Sequence, residues 1–257
     1  MAAGRQPLGR SIGIDVGGTG VKGAVLVGES TSRVVRAATP SPARIGDTVR
    51  VIGSVAAQLL ADAGAELPLG VALSGDVRDG RHTSGVNLHQ SWVDAPARDL
   101  IEDVVGHPVR ICNDADAAAV GEAAFGAAAG VPGVVVVLTF GTGIGSGILV
   151  DGLLVPNSGL GQLPYRGRPV ERSLCAVARE RRGLDWTTWA TEVSRYLAQV
   201  DLLLRPNLIV LGGGVVNAFD RFRDALRPPC PLVPARLGDR AGIVGAALVA
   251  LDAPHDP

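Results

Sequence analysis

Two short segments of the chain combine glycine, threonine and, in one case, aspartate in a pattern that suits phosphate binding. Their residues are Asp15, Gly17, Gly18, Thr19 and Gly20 in the first segment, and Thr139, Gly141, Thr142 and Gly143 in the second. Glycine permits positive φ and lets a ligand approach the backbone closely, so the N–H groups and hydroxyls of such turns can hold an anion. Asp15 could hold a metal ion or a metal-bound water. The alternative is an ordinary hairpin that uses glycine for its bend.

Apolar runs on both sides of each turn predict strands. Ile12, Ile14 and Val16 alternate with other residues before the first turn, and an apolar run follows it at 24–27. Residues 18–21 align without a gap with residues 141–144, and the following strands align as well. An internal duplication is the simplest explanation of this likeness. Because Leu138 stands where the first copy has Asp15, we expect the two copies to have different roles.

Two common nucleotide-binding motifs are excluded by their context. Gly18, Gly20 and Gly23 match the spacing of the dinucleotide fingerprint, but that motif requires a helix after the turn, and here the sequence predicts a strand. A Walker loop requires Gly-Lys followed by Ser or Thr, whereas Lys22 is followed by Gly23. What remains is a pair of strand–turn–strand phosphate-binding hairpins. Lys22 is either a phosphate contact or a solvated charge.

Asp114 is the candidate general base. With Asn113 it follows an apolar strand predicted at 109–112 and precedes an alanine-rich helix predicted at 116–128. Open α/β sheets place their ligands at the carboxyl ends of strands. A carboxylate there can accept the proton of a hydroxyl group that attacks phosphorus. The alternative role for Asp114 is that of a helix N-cap.

The composition excludes several classes of function. The chain has 257 residues, of which 47% are hydrophobic and 19% charged, with a net charge of −1. That length is sufficient for a sizeable core, and the charge argues against nucleic acid as a partner. Three scattered cysteines predict reduced thiols. No apolar run is long enough to span a membrane and no signal peptide is evident, so we expect a cytoplasmic protein.

The remaining pattern predicts alternating strands and helices. Further strands are predicted at 33–38, 69–73 and 208–211, and further helices at 48–63, 97–105, 172–182, 186–204, from about 218, and at 241–251.

Six segments resemble the ROK family (repressor, open reading frame, kinase) of the actin-like sugar kinase superfamily, and most of all its actinobacterial polyphosphate glucokinases. In family order they are DVGGTGVKGA from Asp15, VNLHQSW from Val86, NDADAA from Asn113, LTFGTGIGSGILVDGLLVPN from Leu138, LIVLGGGV from Leu208 and AGIVGAAL from Ala241. The resemblance implies an α/β actin-like ATPase (ribonuclease H-like) fold with two lobes and an interlobe cleft. We expect one lobe at 1–115, with 241–257 packing back on it, and the other at 116–240.

The resemblance also implies roles for individual residues. Asp114 would be the general base for a primary sugar hydroxyl, and Asn113 would bind the sugar. Further acceptor contacts would come from the loop at Ser74 and Gly75, where the family usually has proline-glycine, and from Asn87. Asp15 would position Mg²⁺, and the two glycine turns would hold the phosphates of ATP, polyphosphate or both.

Three other expectations concern a glycine run, zinc and assembly. Gly212, Gly213 and Gly214 would meet a nucleotide or a polyphosphate tail at a helix start, or would serve only close backbone packing. Zinc is not expected, because residues 161–183, where many ROK proteins bind it, contain only Cys175 and no histidine. His82 and His89 are interpreted as loop residues. The expected partners are a small-molecule acceptor, a phosphoryl donor and a second copy in a homodimer.

One segment departs from the family pattern. Polyphosphate glucokinases have roughly Asn-Thr-Glu-Leu-Gly-His-x-Glu here, whereas this chain has Gly159, Gln162 and Pro164 in place of the first Glu, the His and the second Glu. In the family those three side chains bind sugar hydroxyls, so the acceptor pocket is expected to be altered. A modified sugar, aminosugar or cyclitol is the favoured acceptor, and glucose is the alternative. A non-catalytic sugar-binding relative is the third hypothesis, disfavoured because the eleven residues before Ile12 cannot form a DNA-binding domain and because Asp114 is retained.

Overall fold

The computed structural model describes residues 9–84 and 88–252. Its strands are β1 (Ser11–Val16), β2 (Gly20–Val27), β3 (Ser30–Thr31), β4 (Val35–Ala38), β5 (Leu69–Leu73), β6 (Val77–Arg78), β7 (Arg81–His82), β8 (Val109–Asn113), β9 (Val134–Phe140), β10 (Ile144–Val150), β11 (Leu153–Val155), β12 (Pro164–Tyr165), β13 (Arg168–Pro169), β14 (Leu208–Gly212) and β15 (Leu232–Pro234). Its helices are α1 (Ile45–Ala63), α2 (Ala97–Val105), α3 (Asp114–Phe125), α4 (Glu171–Leu174), α5 (Ala176–Arg181), α6 (Trp186–Leu204) and α7 (Ala241–Val249). The α/β fold class is confirmed.

The chain forms two compact units. Unit 1 comprises Met1–Ala117 and Gly242–Pro257, and unit 2 comprises Ala118–Ala241. Within the described part of the chain, no helix is long and apolar enough to cross a membrane.

Unit 1 is built on a six-stranded sheet in the order β3-β2-β1-β5-β8, with β4 also paired to β2. The predicted first hairpin is confirmed, since β1 and β2 pair antiparallel with Asp15 opposite Lys22. Strands β1, β5 and β8 are parallel, with Val16 opposite Leu73 and Leu73 opposite Asn113. The segments that follow these three strands therefore leave the sheet at the same edge, where an α/β sheet binds its ligands.

Helix α7 returns from the end of the chain to pack on the sheet of unit 1. Ser11 Oγ donates a hydrogen bond to Ala247 O over 2.7 Å. A Cβ atom on Gly13 would collide with the carbonyl oxygen of Ile243, and one on Gly70 with that of Ala246. Glycine is therefore required at both positions, because helix and strand backbones are in direct contact there.

Unit 2 is built on a five-stranded sheet in the order β11-β10-β9-β14-β15. The predicted second hairpin is confirmed as the antiparallel pair β9–β10. β9 and β14 are parallel, with Gly212 opposite Thr139, so the second glycine turn and the run 212–214 leave this sheet at the same edge. The core of this unit packs the fully buried Trp189 and Tyr196 of α6 against Phe140 of β9.

Two predicted helices are wrong in their form. The single helix predicted at 172–182 is two short helices, α4 and α5, because Cys175 is extended (φ −61°, ψ 165°) and its Sγ caps α5 by accepting the N–H of Ala178. The helix predicted from about 218 is a 3₁₀ segment, Gly214–Arg221, interrupted by non-helical geometry at Ala218. The proline-rich stretch after it, predicted to be irregular, contains the short strand β15.

Candidate active site

Asp114 lies at the junction of β8 and α3, and its neighbour Asn113 performs the capping role. Asn113 Oδ1 accepts the N–H groups of Ala115 and Asp116, each over 2.9 Å. Asp114 Oδ1 accepts the N–H of Ala115 over 2.8 Å and Asn113 Nδ2 over 3.2 Å. Because Asn113 already satisfies two N–H groups of the first turn, a capping role alone does not explain an aspartate at 114.

The electrostatic environment makes Asp114 unusually basic. Burial, and after it the negative charges of Asp15 and Asp116, together raise its pKa from 3.8 to about 7, against the lowering effect of the Ala115 N–H. A general base is most effective when its pKa lies near the working pH. The same burial and the same carboxylates raise the pKa of the Cys112 thiol, which keeps that thiol protonated and unreactive.

Asp15 and Lys22 form an ion pair beside the first glycine turn. Their Oδ2 and Nζ atoms are 3.2 Å apart, and both side chains are largely buried. Lys22 was predicted to be a phosphate contact or a solvated charge, and its pairing with Asp15 was not foreseen. Gly242 at the start of α7 approaches so closely that a Cβ there would lie 2.9 Å from Asp15 Cγ. The positive end of the α7 dipole therefore faces this carboxylate.

The carboxylate of Asp15 is suited to bind magnesium together with water and substrate phosphates. Among residues 9–84 and 88–252, no group of three or more His, Cys, Asp or Glu side chains is placed to hold a metal ion. Mg²⁺ commonly binds through one or two carboxylates together with water and substrate phosphates. Asp15 is suited to that mode.

The first turn is held by backbone groups and by Thr39. Gly17 N donates to Gly20 O over 2.9 Å, and Thr39 Oγ1 donates to Gly17 O over 2.6 Å. The positive φ expected of glycines in these turns is absent at Gly17, Gly20 and Gly141. At Gly141 an added Cβ would meet no atom of the protein within 4 Å. The absence of a side chain there leaves the backbone open to the close approach of a ligand.

The Ser74–Gly75 loop is fixed from two sides. Asn113 Nδ2 donates to Gly75 O over 3.0 Å, and His82 Nε2 lies 2.7 Å from Ser74 O. Gly75 has φ +108°, and a Cβ there would lie 2.7 Å from His82 Nε2, so only glycine fits. The loop is thereby connected through Asn113 to Asp114.

His82 was predicted to be a loop residue, and this is wrong. It lies in β7, is fully buried and packs on the ring of Trp92 with centroids 5.4 Å apart. A lone histidine in a polar segment carries no sequence signal for this role. Asn87, predicted to contact the acceptor, lies outside the described residues.

In unit 2, the glycine run after β14 packs against the second hairpin. Gly213 has φ +78°, and a Cβ there would lie 2.6 Å from Phe140 N. Close packing, one of the two predicted roles, therefore requires Gly213. Gly212 lies beside Thr139 in register, while a Cβ on Gly214 would meet no atom within 4 Å. The structure thus brings Thr139 and the glycine run to one edge, next to the turn closed by a Gly141 N to Gly143 O hydrogen bond of 3.0 Å.

The segment that departs from the family pattern is anchored to β10. Ser146 Oγ donates to Ser158 O over 2.6 Å and accepts the N–H of Leu160 over 3.0 Å. Gly161 is required because a Cβ there would collide with the carbonyl oxygen of Ile144. Gly159, in contrast, has open space around its Cβ position.

Gln162 has a partner that sequence reasoning missed. Its Nε2 donates to Oε1 of Glu171 over 2.9 Å, and Glu171 is buried in α4. Nothing in the spacing of the two residues points to this contact, since it depends on the return of the chain through the β12–β13 hairpin. The amide of Gln162 is therefore held in one orientation.

Comparisons with known proteins identify the family of the chain. The model of the ROK family matches residues 11–160. The polyphosphate glucokinase of Mycobacterium tuberculosis is 37% identical over 243 residues, covering 93% of this chain and 90% of that protein. The crystal structure of inorganic polyphosphate/ATP-glucomannokinase from Arthrobacter sp. strain KM superposes with a TM-score of 0.91 at 40% identity, covering 95% of this chain and 99% of that one.

A second solved structure extends the likeness. A ROK family glucokinase from Streptomyces griseus, in complex with glucose and AMPPNP, gives a TM-score of 0.80 at 25% identity and covers 94% of this chain and 99% of that one. The fold is thus the actin-like fold of sugar kinases. The chain belongs to the ROK family, and its relatives make it an enzyme of the sugar kinase class.

Proposed function

We propose that this enzyme transfers the terminal phosphoryl group of polyphosphate or ATP to the primary hydroxyl of a sugar or sugar-like acceptor, with Asp114 as the general base. The observation that carries the proposal is the state of Asp114. It lies at the strand edge expected for a ligand, Asn113 takes over the capping bonds, and burial together with the charges of Asp15 and Asp116 raises its pKa to about 7. A carboxylate with these properties is suited to accept a hydroxyl proton near neutral pH.

Each of several residues of unit 1 has a separate proposed role at the acceptor or at the donor phosphates. Asp114 accepts the proton as the acceptor oxygen attacks the terminal phosphorus. Asn113, held against the Gly75 carbonyl, orients the acceptor together with Ser74 and Gly75, and Asn87 is a further proposed contact. Asp15 positions magnesium, which when bound neutralises charge on the donor phosphates. Lys22 holds the Asp15 carboxylate in place.

Both glycine turns are proposed to bind phosphate through their backbone N–H groups and threonine hydroxyls. In unit 1 these are Gly17, Gly18, Thr19 and Gly20. In unit 2 they are Thr139, Gly141, Thr142 and Gly143, with Gly212, Gly213 and Gly214 beside them. A mycobacterial relative is named for polyphosphate and the Arthrobacter structure for polyphosphate and ATP, which supports either donor here.

The acceptor is proposed to differ from glucose. Gly159 offers no side chain, the side chain of Pro164 offers no hydrogen bond, and the amide of Gln162 is engaged by Glu171. Each lost hydrogen bond to a charged group costs about 1.5–3 kcal/mol, so an acceptor that needs fewer hydroxyl contacts on this side is favoured. A modified sugar, aminosugar or cyclitol meets that description. A glucokinase with substituted contacts is the second candidate, favoured by the relatives named for glucose.

The assembly is proposed to be a homodimer. Leu202 and Leu203 at the end of α6 are 68% and 60% exposed, and such neighbouring apolar side chains are common where copies associate. Sedimentation velocity of the purified protein checks this directly.

A screen of acceptors and donors tests the proposed function. The purified protein is incubated with Mg²⁺, with ATP or polyphosphate, and with glucose, mannose, aminosugars and cyclitols, and phosphorylated products are identified by mass spectrometry. Phosphorylation of a primary hydroxyl on one of these acceptors is expected. Hydrolysis of the donor without transfer to any acceptor would contradict the proposal.

A further inference from the structure

Unit 2 exposes a group of arginines that the phosphoryl-transfer site does not use. Residues 164–182 contain six arginines and two glutamates, in a chain whose net charge is −1. Five of the arginines are exposed, and we call them the arginine surface: Arg166, Arg168, Arg172, Arg181 and Arg182. Of the 24 lysine and arginine residues of the chain, all except Lys22 are arginines. Its planar guanidinium group is suited to bidentate contacts with phosphate.

Contacts between the short elements hold these arginines together. Arg181 Nη2 donates to the backbone oxygen of Arg172 over 3.0 Å, and Arg182 Nη1 donates to Ser173 O over 2.9 Å. Arg182 pairs with the carboxylate of Glu192 over 2.8 Å, and Arg166 approaches the same carboxylate to 3.4 Å. The break at Cys175 separates α4 from α5, and the Arg181–Arg172 hydrogen bond joins the two helices across it.

Part of this charge is already neutralised and part is not. Glu192 has its pKa lowered by the hydrogen bond from Arg182 and by the charges of Arg182, Arg166 and Arg195, so one carboxylate faces three positive groups. Among the described residues, the guanidinium groups of Arg168 and Arg172 form no hydrogen bond or ion pair. These two side chains are thus available to an external anion.

The arginine surface begins next to the second phosphate-binding turn. Val177 N, in the first turn of α5, donates a hydrogen bond to Gly141 O over 3.4 Å. Arg181 lies four positions after Val177, which is about 6 Å along a helix. A phosphate chain whose end lies at the Gly141 turn would therefore reach Arg181 within a few phosphate units.

We infer that the arginine surface binds the tail of a long inorganic polyphosphate donor and that ATP does not use it. The inference rests on the proposed phosphoryl-transfer function and specifies how one of the two donors is held. A chain of phosphates presents charge at regular intervals along its whole length, and exposed cations add binding energy to it at each contact. Such contacts are screened by salt, so polyphosphate binding is expected to weaken as ionic strength rises.

The test compares two double variants that remove the same charge. Arg168→Gln with Arg172→Gln removes the two side chains that make no internal ion pair. Arg205→Gln with Arg223→Gln removes two exposed arginines elsewhere on unit 2, each paired with an aspartate. Kd for long-chain polyphosphate is measured by calorimetry at two salt concentrations, and kcat/KM is measured with ATP, tripolyphosphate and long-chain polyphosphate.

The expected result is specific to chain length. The Arg168/Arg172 variant should bind long polyphosphate about tenfold more weakly, which corresponds to about 1.4 kcal/mol of binding free energy. The salt dependence of its Kd should be shallower than in the wild type, and its kcat/KM for ATP should be unchanged. The Arg205/Arg223 variant should match the wild type. Unchanged polyphosphate binding in the first variant, or an equal loss with ATP, would overturn the inference. A wild-type protein that uses ATP but does not bind polyphosphate would also overturn the inference, and the proposed kinase activity would still stand. Polyphosphate binding without phosphoryl transfer from any donor would contradict the proposed kinase activity alone.

Discussion

Asp114 illustrates how one residue acquires its chemistry from its neighbours. The sequence predicts that it lies between a strand and a helix, where an aspartate can serve either as a helix cap or as a general base. The structure separates the two roles because the amide oxygen of Asn113 accepts two N–H groups of the helix. Asp114 is then left in a partly buried position near Asp15 and Asp116, which together with burial raise its pKa to about 7.

The raised pKa of Asp114 predicts a pH limb. Below about pH 7 the carboxyl is protonated and cannot accept a proton, so log(kcat/KM) should fall with unit slope as pH decreases. Asp15→Asn removes the charge that, after burial, contributes most to the raised pKa of Asp114. This variant should therefore move the acidic limb of the pH–kcat/KM profile to lower pH. Asp47→Asn, a change in an exposed carboxylate of α1 paired with Arg50, is the control. Identical limbs in the wild type and the Asp15 variant would contradict this electrostatic assignment.

Several residues of the candidate site could not be found from the sequence. Asp15, Asn113 and Asp114 stand out because their residue types occur at predicted strand ends. Lys22 was found only as a candidate phosphate contact, because its ion pair with Asp15 depends on cross-strand register. His82 and Glu171 were missed, because their roles depend on burial beside Trp92 and on the return of a hairpin. None of these three geometries has a local sequence pattern.

At the scale of elements, the Ser74–Gly75 loop depends on a buried histidine. His82→Leu removes the group that contacts Ser74 O, at a cost of about 1–3 kcal/mol for an unsatisfied buried partner. The loop should shift relative to Asn113, and kcat/KM for the acceptor should fall about tenfold or more, since small misplacements near the chemistry are costly. His82→Gln keeps an N–H donor at a similar reach and should restore most of the loss.

The readout for His82 must separate positioning from stability. Acceptor kinetics and the thermal midpoint are measured for both variants at a temperature well below unfolding. A lowered midpoint in His82→Leu with wild-type kcat/KM would show that His82 only stabilises the fold.

The segment after β10 predicts how acceptor choice is set. Gly159→Glu, Gln162→His and Pro164→Glu together restore the family pattern, and the open space at Gly159 admits the larger side chain. Phosphorylation of glucose should rise and activity on the natural acceptor should fall, because each restored charged contact contributes about 1.5–3 kcal/mol. Gly46→Glu, at another glycine with open space, is the control. If the unmodified protein already phosphorylates glucose as efficiently as any other acceptor, the altered-pocket hypothesis is wrong.

Most elements could be predicted, and the exceptions have physical causes. Hydrophobic periodicity located both hairpins and gave β5, α2 and α6 with their observed bounds. It failed at Cys175, where a side-chain cap breaks a continuous helical pattern, and after Gly214, where the segment adopts 3₁₀ geometry instead of an α-helix.

At the scale of the whole molecule, the two hairpins anchor two separate sheets that share one construction. In each, a hairpin strand pairs in parallel with a later strand, β1 with β5 and β9 with β14. The likeness extends to the glycine turn that follows β1 and β9, as expected of duplicated halves. Composition alone predicts only a globular chain of moderate charge. The actin-like fold was predicted from six motifs that occur in the order found in the ROK family.

The turnover of Asp114→Asn on the identified acceptor tests the central claim most directly. Because burial and the charges of Asp15 and Asp116 raise the pKa of Asp114 from 3.8 to about 7, folding favours the protonated carboxyl. The contribution of that carboxyl to stability is lost as pH rises through 7. The neutral asparagine should therefore leave the thermal midpoint at pH 8 at least as high as in the wild type, while kcat falls about 10²–10⁴-fold. A folded variant that retains near wild-type turnover would contradict the assignment of Asp114 as the general base.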